Sequence, residues 1–163
     1  MAFLTTAQLT SVIPQRLRFP VLFILPAVIG SVLILGVKQV RTIASLITID
    51  SLVKWQICRV IGAFFLVGAL FGKIDTPFAI VSGLGDVAVG ISAWFAWRRI
   101  KQHPDNALKI AKTHALFGLA DFTLAATVAL STQARIEFLY GLIPLFLVPM
   151  AILGHVATLA RKE

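Results

Sequence analysis

The sequence predicts an all-α fold: a polytopic membrane bundle of about five transmembrane helices plus one cytoplasmic interfacial helix. Three observations predict it: the composition, the long apolar runs, and the basic residues between those runs. Of 163 residues, 58% are hydrophobic and 13% are charged, and the mean hydropathy is +0.92. A soluble domain has roughly a quarter charged residues. The excess apolar surface is therefore expected to face lipid.

The apolar runs are long enough to be membrane spans. A helix needs about 20 residues to cross the hydrocarbon layer of roughly 30 Å. Five runs approach this length, at residues 19–37, 55–72, 77–97, 113–131 and 140–160. Lipid leaves unpaired backbone groups without partners, and the alternation of a β-barrel is absent, so helices are predicted. Residues 1–163 are expected to form one domain.

The first run is predicted to be a retained span. It follows Arg16 and Arg18, exceeds the length of a signal-peptide core, and lacks a small-residue cleavage site. The segment that follows it is short and mixes apolar with charged residues. An interfacial helix over residues 40–53 is therefore predicted.

The basic residues predict the orientation. One set of ends and loops holds ten of them, and the opposite set holds four. The larger set is Lys38, Arg41, Lys54, Arg98, Arg99, Lys101, Lys109, Lys112, Arg161 and Lys162. The smaller set is Arg16, Arg18, Lys73 and Arg135. The positive-inside rule places the larger set and the C-terminus in the cytoplasm and the N-terminus outside.

The same charges bear on the partners. The net charge of +8 lies mainly between apolar runs, as expected for contacts with anionic lipid headgroups. No nucleic-acid partner is expected, because no binding signature accompanies the charge. A homo-oligomer or a partner membrane subunit is compatible with the sequence, and small-residue faces would serve either.

Several polar residues lie inside or near the apolar runs. A charged side chain at a membrane centre costs about 2.5–3.5 kcal/mol on insertion scales. The runs nevertheless contain Arg59, Asp86 and Asp121, and His114 and His155 lie at related depths. We predict that these five residues form a polar intramembrane site, with Arg59 as counter-ion and the two aspartates as proton or cation acceptors.

Small residues share a helix face with the aspartates, which predicts that both point into the bundle. Small side chains allow helices to approach closely. The first face has 4-3-4-3 spacing through Ala79, Gly83, Asp86, Gly90 and Ala93. The second has 4-3-4 spacing through His114, Gly118, Asp121 and Ala125.

Two broad interpretations follow. The polar residues form either a neutralised structural network that fixes helix packing, or a site for a proton, an ion or a small polar solute. A structural network predicts a structural or accessory subunit without its own chemistry. A site for a proton, an ion or a solute predicts transport or binding. No catalytic residue and no metal-ligand set is assigned, and no cofactor is identified.

Two narrower alternatives remain open. Gly83-Leu84-Gly85-Asp86 resembles the glycine-aspartate motif of intramembrane aspartyl proteases, and Asp121 would be the second acid. In those families, however, the partner aspartate precedes the motif. His114 and His155 lie near one membrane face, as axial ligands of a b-type haem would.

From residue 54 onwards the chain resembles an uncharacterised family of small bacterial integral membrane proteins. The motifs that carry the resemblance are Gln56-x-x-Arg59-x-x-Gly62, Phe78-Ala79, Gly83-x-Gly85-Asp86, Gly118-x-x-Asp121, Ile143-Pro144, Val148-Pro149 and His155. The resemblance implies a bacterial inner-membrane protein with Arg59, Asp86, Asp121 and His155 as its polar set. It departs at His114, where an asparagine is usual, and it implies no activity.

Overall fold

The computed structural model describes residues 24–134 and 138–162. Within these two ranges the secondary structure is helical, without a strand, so the all-α fold class is confirmed for this part of the chain. The helices are α1 (Leu25–Gly36), α2 (Lys38–Leu46), α3 (Ile49–Trp55), a 3-10 segment (Gln56–Gly62), α4 (Ala63–Leu70), α5 (Thr76–Gln102), α6 (Ala107–Thr132) and α7 (Phe138–Leu159).

Within residues 24–134 and 138–162, three continuous helical stretches are long and apolar enough to span a membrane. They are Ile49–Leu70, Thr76–Gln102 and Pro104–Thr132. Helices α1 and α2 would add a fourth only as one span bent by 98°. In α7 the apolar stretch Leu145–Leu159 is shorter. The predicted count of five spans is therefore not confirmed, and residues 19–23 of the first predicted span lie outside the described residues.

The predicted interfacial segment, residues 40–53, is divided in the structure. Helix α2 ends at Leu46 and α3 begins at Ile49. The Thr48 side chain caps α3 by accepting a hydrogen bond from the Ser51 backbone N–H, and Asp50 lies in the first turn. Both features favour a helix start. Residues 49–53 consequently belong to the long helix that continues into α4.

The 3-10 segment determines which side chains of this long helix face inward. In a 3-10 helix, residues three apart lie on the same side. Gln56, Arg59 and Gly62 have this spacing and are all buried. The segment therefore presents a row of two polar side chains and one glycine to the neighbouring helices.

Helices α5 and α6 are antiparallel neighbours, joined by a short turn at residues 103–106, and α5 also packs against the 3-10 segment and α4. Two apolar clusters lie toward opposite ends of this packing. One contains Phe65, Ile74, Phe78, Ala79 and Ala129. The other contains Val53, Ala96, Ile100 and Ala111. Asp86 and Asp121 lie between the two clusters along their helices.

Candidate functional site: an arginine shared by two aspartates

Arg59 holds the carboxylates of two different helices. Its Nε donates to Asp86 Oδ1 at 2.7 Å, and its Nη2 donates to Asp121 Oδ2. The same Nη2 forms an ion pair with Asp86 Oδ1 at 2.6 Å. The side chains are 3%, 13% and 8% exposed for Arg59, Asp86 and Asp121. Charge-assisted bonds of this kind are the strong ones, and they are stronger still away from water. The contact ties together the 3-10 segment, α5 and α6.

Glycines make room for the two carboxylates. A Cβ at Gly62 would collide with Asp86, and its distance to Asp86 Oδ2 would be 2.6 Å. A Cβ at Gly85 would collide with Asp121 Oδ1. Any larger residue at either position would displace an acid from Arg59. The glycines thus determine how closely the helices approach at this depth.

The arginine is also held by an aromatic ring. Its guanidinium carbon lies 3.8 Å from the Phe122 ring centroid, within the range of a cation–π interaction. The remaining guanidinium nitrogen, Nη1, is buried without a hydrogen-bond partner. Arg59 therefore has unused donor capacity after it has bound both acids.

The two histidines contact each other beside this cluster. The ring centroids of His114 and His155 are 5.5 Å apart in an edge-to-face arrangement, and the Phe122 ring is 6.2 Å from that of His155. A Cβ at Gly118 would collide with the His155 ring. Phe122 thus lies between the arginine and the histidine pair, and all five predicted residues belong to one region of the interior.

Ser92 is a hydrogen-bond partner of His114. Ser92 Oγ donates its one proton to the Val89 carbonyl at 2.8 Å and lies 3.2 Å from His114 Nδ1. Ser92 Oγ and His114 Nδ1 therefore form a hydrogen bond whose direction depends on the tautomer of His114. The other ring nitrogen of His114, Nε2, is buried without a hydrogen-bond partner, as is Nε2 of His155.

Three polar residues around the cluster were not among the predicted site residues. Gln56 is 1% exposed and donates to the Ala151 carbonyl at 3.1 Å, while its Oε1 has no partner. Ser82 is 5% exposed and its Oγ is likewise unpartnered. The third residue is Ser92. Helical spacing was an available signal, since Ser82 precedes Asp86 by one turn and Gln56 precedes Arg59 by three residues.

A cavity of about 480 Å³ opens beside the carboxylates. Helices α1, α5, α6 and α7 form its walls, with Phe65 contributed by α4. Asp86, Asp121 and Ser82 line it. The volume falls in the range of small-molecule sites, which are about 300–1,000 Å³.

The charges of the cluster do not balance. Two carboxyl groups share one guanidinium, so full ionisation leaves one negative charge in excess. In a low-dielectric interior such a charge is costly unless it is compensated. A proton or a bound cation would compensate it. The arrangement can therefore exchange protons or bind a positively charged group from the cavity.

The fold and site define a class: an all-helical protein with apolar helices of membrane-spanning length and an arginine-bridged pair of acids between them. Within this class, the chain belongs to the family described as Domain of unknown function (DUF8737), whose model matches residues 16–161. No curated protein and no solved structure matches the chain. The resemblance to an uncharacterised family is thereby supported.

Proposed function

We propose that the chain is a multi-pass protein of a bacterial inner membrane, and that the Arg59–Asp86–Asp121 cluster binds a proton, a cation or a small polar solute for transport or binding. The main observation that supports this proposal is that both carboxylates share one arginine and also line a cavity. Intramembrane ionisable residues are functional candidates by default, because their insertion is costly.

The excess of acid favours a ligand site over a purely structural one. A structural ion pair is best compensated when its charges balance and its remaining lone pairs are satisfied. Here only one oxygen of each carboxylate takes part in the bonds to Arg59. The second acid and the open cavity both favour an exchangeable occupant.

A structural or accessory subunit is the alternative function. It is favoured by the way Arg59 joins three helical elements and by the glycines that fit against the acids. In that case the cluster would fix helix packing and bind nothing.

The geometry gives little support to the two narrower alternatives. An aspartyl protease needs two carboxyls that share a proton, whereas a guanidinium nitrogen lies between Asp86 and Asp121. A bis-histidine haem needs a macrocycle between its ligands, whereas the rings of His114 and His155 are in edge-to-face contact. We therefore prefer transport or binding.

The proposed orientation places the C-terminus in the cytoplasm and α2 at the membrane surface. Helix α2 contains Lys38 and Arg41 beside exposed apolar residues such as Ile43 and Leu46. Such a helix lies in the interface, where basic side chains contact anionic headgroups. Lipids are thus the partners we propose at this surface.

Flux measurements in proteoliposomes test the proposed function. Proton movement is followed with an entrapped pH dye, and separate samples contain labelled sodium, potassium or small polar solutes. We expect flux with the unmodified protein and at least a tenfold loss with Asp86→Asn and with Asp121→Asn. Asp105→Asn is the matched control, because Asp105 is an exposed acid outside the cluster.

The structural alternative makes the opposite prediction. Both site variants would then behave like the unmodified protein in every flux assay while eluting as folded, monodisperse species. Absence of any flux from the unmodified protein, in either direction of the gradient, would also count against transport.

A further inference from the structure

The polar groups of the cavity fall into two kinds. Ser31, Thr123 and Thr127 line the cavity, but their hydroxyls donate to carbonyls one turn back in their own helices, at 2.7–2.8 Å. Such bonds satisfy a hydroxyl inside a helix. The hydroxyl protons of these three residues are therefore already used and are not free for a bound molecule.

Ser82 and the two acids differ from them. Ser82 Oγ is buried without a partner, and Ser82 and Asp86 lie one turn apart on the same face of α5. Asp121 lies opposite on α6 and is joined to Asp86 through Arg59. The polar groups of the cavity that can still bind an occupant thus lie at one wall. They are mainly hydrogen-bond acceptors, and together they carry an excess negative charge.

Most of the rest of the wall is apolar. It includes Val28 and Val32 from α1 and Ile152 from α7. Phe65 and Phe78 also line it, and aromatic faces attract cations. An occupant that fills this space needs an apolar body, while one end of it must donate hydrogen bonds and carry positive charge.

A bare divalent cation matches this wall poorly. Calcium takes six to eight oxygen ligands, and magnesium demands a near-ideal octahedron. In the described part of the chain, no group of three or more histidine, cysteine or acidic residues is placed to hold a metal ion. A cation whose charge is carried on an organic body fits the cavity better.

We propose that the cavity binds a protonated primary or secondary amine on an apolar body, with the ammonium N–H groups donating to Asp86, Asp121 and Ser82. This inference rests on the proposed function and names its ligand class. The aliphatic and aromatic walls bury the body, and the ammonium group supplies the positive charge that the acid pair lacks.

Calorimetric titration of the purified protein in nanodiscs of zwitterionic lipid tests the ligand class. The probes are 2-phenylethylamine, its neutral analogue 2-phenylethanol, its anionic analogue 3-phenylpropionate, and ethylamine, which has the charge but almost no body. Empty nanodiscs correct for partitioning into lipid. We expect 2-phenylethylamine to bind at least tenfold more tightly than each of the other three, since both the charge and the body contribute.

Variants of the wall locate the bound probe. Ser82→Ala removes one acceptor and should weaken 2-phenylethylamine binding by about three- to tenfold. Ala126→Leu narrows the cavity without changing charge and should weaken binding more than tenfold. Its matched control is Ala120→Leu, because Ala120 is an exposed position of α6 that does not line the cavity.

The outcomes separate this inference from the proposed function. Equal binding of the amine and the alcohol, or equal binding by Ala126→Leu and Ala120→Leu, would overturn the amine site. If carboxylate-dependent flux of protons or inorganic cations occurs without amine binding, the proposed function stands and this inference fails. If both flux and binding are absent, both fail.

Discussion

Two arginines join distant parts of this chain, and they do so with different acceptors. Arg59 is almost fully buried and binds the carboxylates of α5 and α6. Arg161 is partly exposed and reaches back from the end of α7, where its Nη2 donates to the Ala44 carbonyl at 3.3 Å and to the Ile47 carbonyl. One arginine stabilises the centre of the helix packing, and the other stabilises the break between α2 and α3.

The two arginines bind different acceptors because different groups lack hydrogen-bond partners at the two places. The last carbonyls of a helix have no partners within it, so backbone acceptors are available at the end of α2. In the middle of α5 and α6 the backbone is fully paired, and a charged guanidinium there requires anions. Water can replace a lost bond at a partly exposed helix break but not in the interior. Loss of Arg59 should therefore cost far more than loss of Arg161.

The largest expected effect is that of Arg59→Met. This change leaves two buried acids without their shared cation, and breaking a buried ion pair from one side costs about 3–5 kcal/mol. Thermal unfolding in detergent, followed by the loss of monodisperse protein, should show a clear fall in the midpoint. Lys101→Met is the control, since Lys101 is exposed and its ion pair with Asp50 spans 3.2 Å. Exposed pairs contribute only about 0–1 kcal/mol.

A variant without the three charges of the cluster tests the same explanation for the loss of stability. Combining Arg59→Met with Asp86→Asn and Asp121→Asn removes all three charges, and much of the lost stability should return. If Arg59→Met unfolds at the same temperature as the unmodified protein, the ion pairs do not hold the helices together.

The second-largest expected effect is that of Gly118→Ala, which changes the packing beside the site. In Gly118→Ala the new methyl group meets the His155 ring, and overpacking of an interior typically costs about 1–3 kcal/mol. Gly36→Ala is the matched control, because nothing lies within 4 Å of a Cβ at Gly36. That change should be neutral or stabilise by about 0.4–1 kcal/mol. Equal thermal midpoints for the two variants would show that α6 and α7 approach less closely here.

Helical periodicity explains how much of the fold and site was predictable. The small-residue faces around Asp86 and Asp121 repeat at intervals of three and four, so their inward direction followed from the sequence. The charge of Arg59, in the run before the two acids, indicated a counter-ion for an aspartate, and the structure pairs it with both. The function of the cluster is a separate question and stays a prediction.

Two features of the structure were not predicted from the sequence. The bend between α1 and α2 occurs at Val37, whose backbone is extended and which directly follows Gly36, the last residue of α1. The 3-10 segment has no local signal before Gly62. In this segment Gly62, six residues after Gln56, lies on the same buried side as Gln56 and Arg59, whereas in an α-helix it would turn away from that side.

The smallest expected effect is that of Arg161→Met. It removes the donor to Ala44 and Ile47, and a hydrogen bond of this partly exposed kind contributes about 0.5–1.5 kcal/mol. The thermal midpoint should fall only slightly. Local opening should increase, however, because the α2–α3 break loses its link to α7. Hydrogen exchange of the backbone amides of residues 44–52 measures this opening directly.

The control for this last change is Lys162→Met, which removes a neighbouring exposed charge. Faster exchange in Arg161→Met alone would show that the hydrogen bonds, and not the net charge at the end of α7, hold the break. Equal exchange in both variants would contradict that. A fall in midpoint as large as that of Arg59→Met would remove the distinction between the two arginines, because a partly exposed bond to backbone would then stabilise the fold as strongly as a buried ion pair.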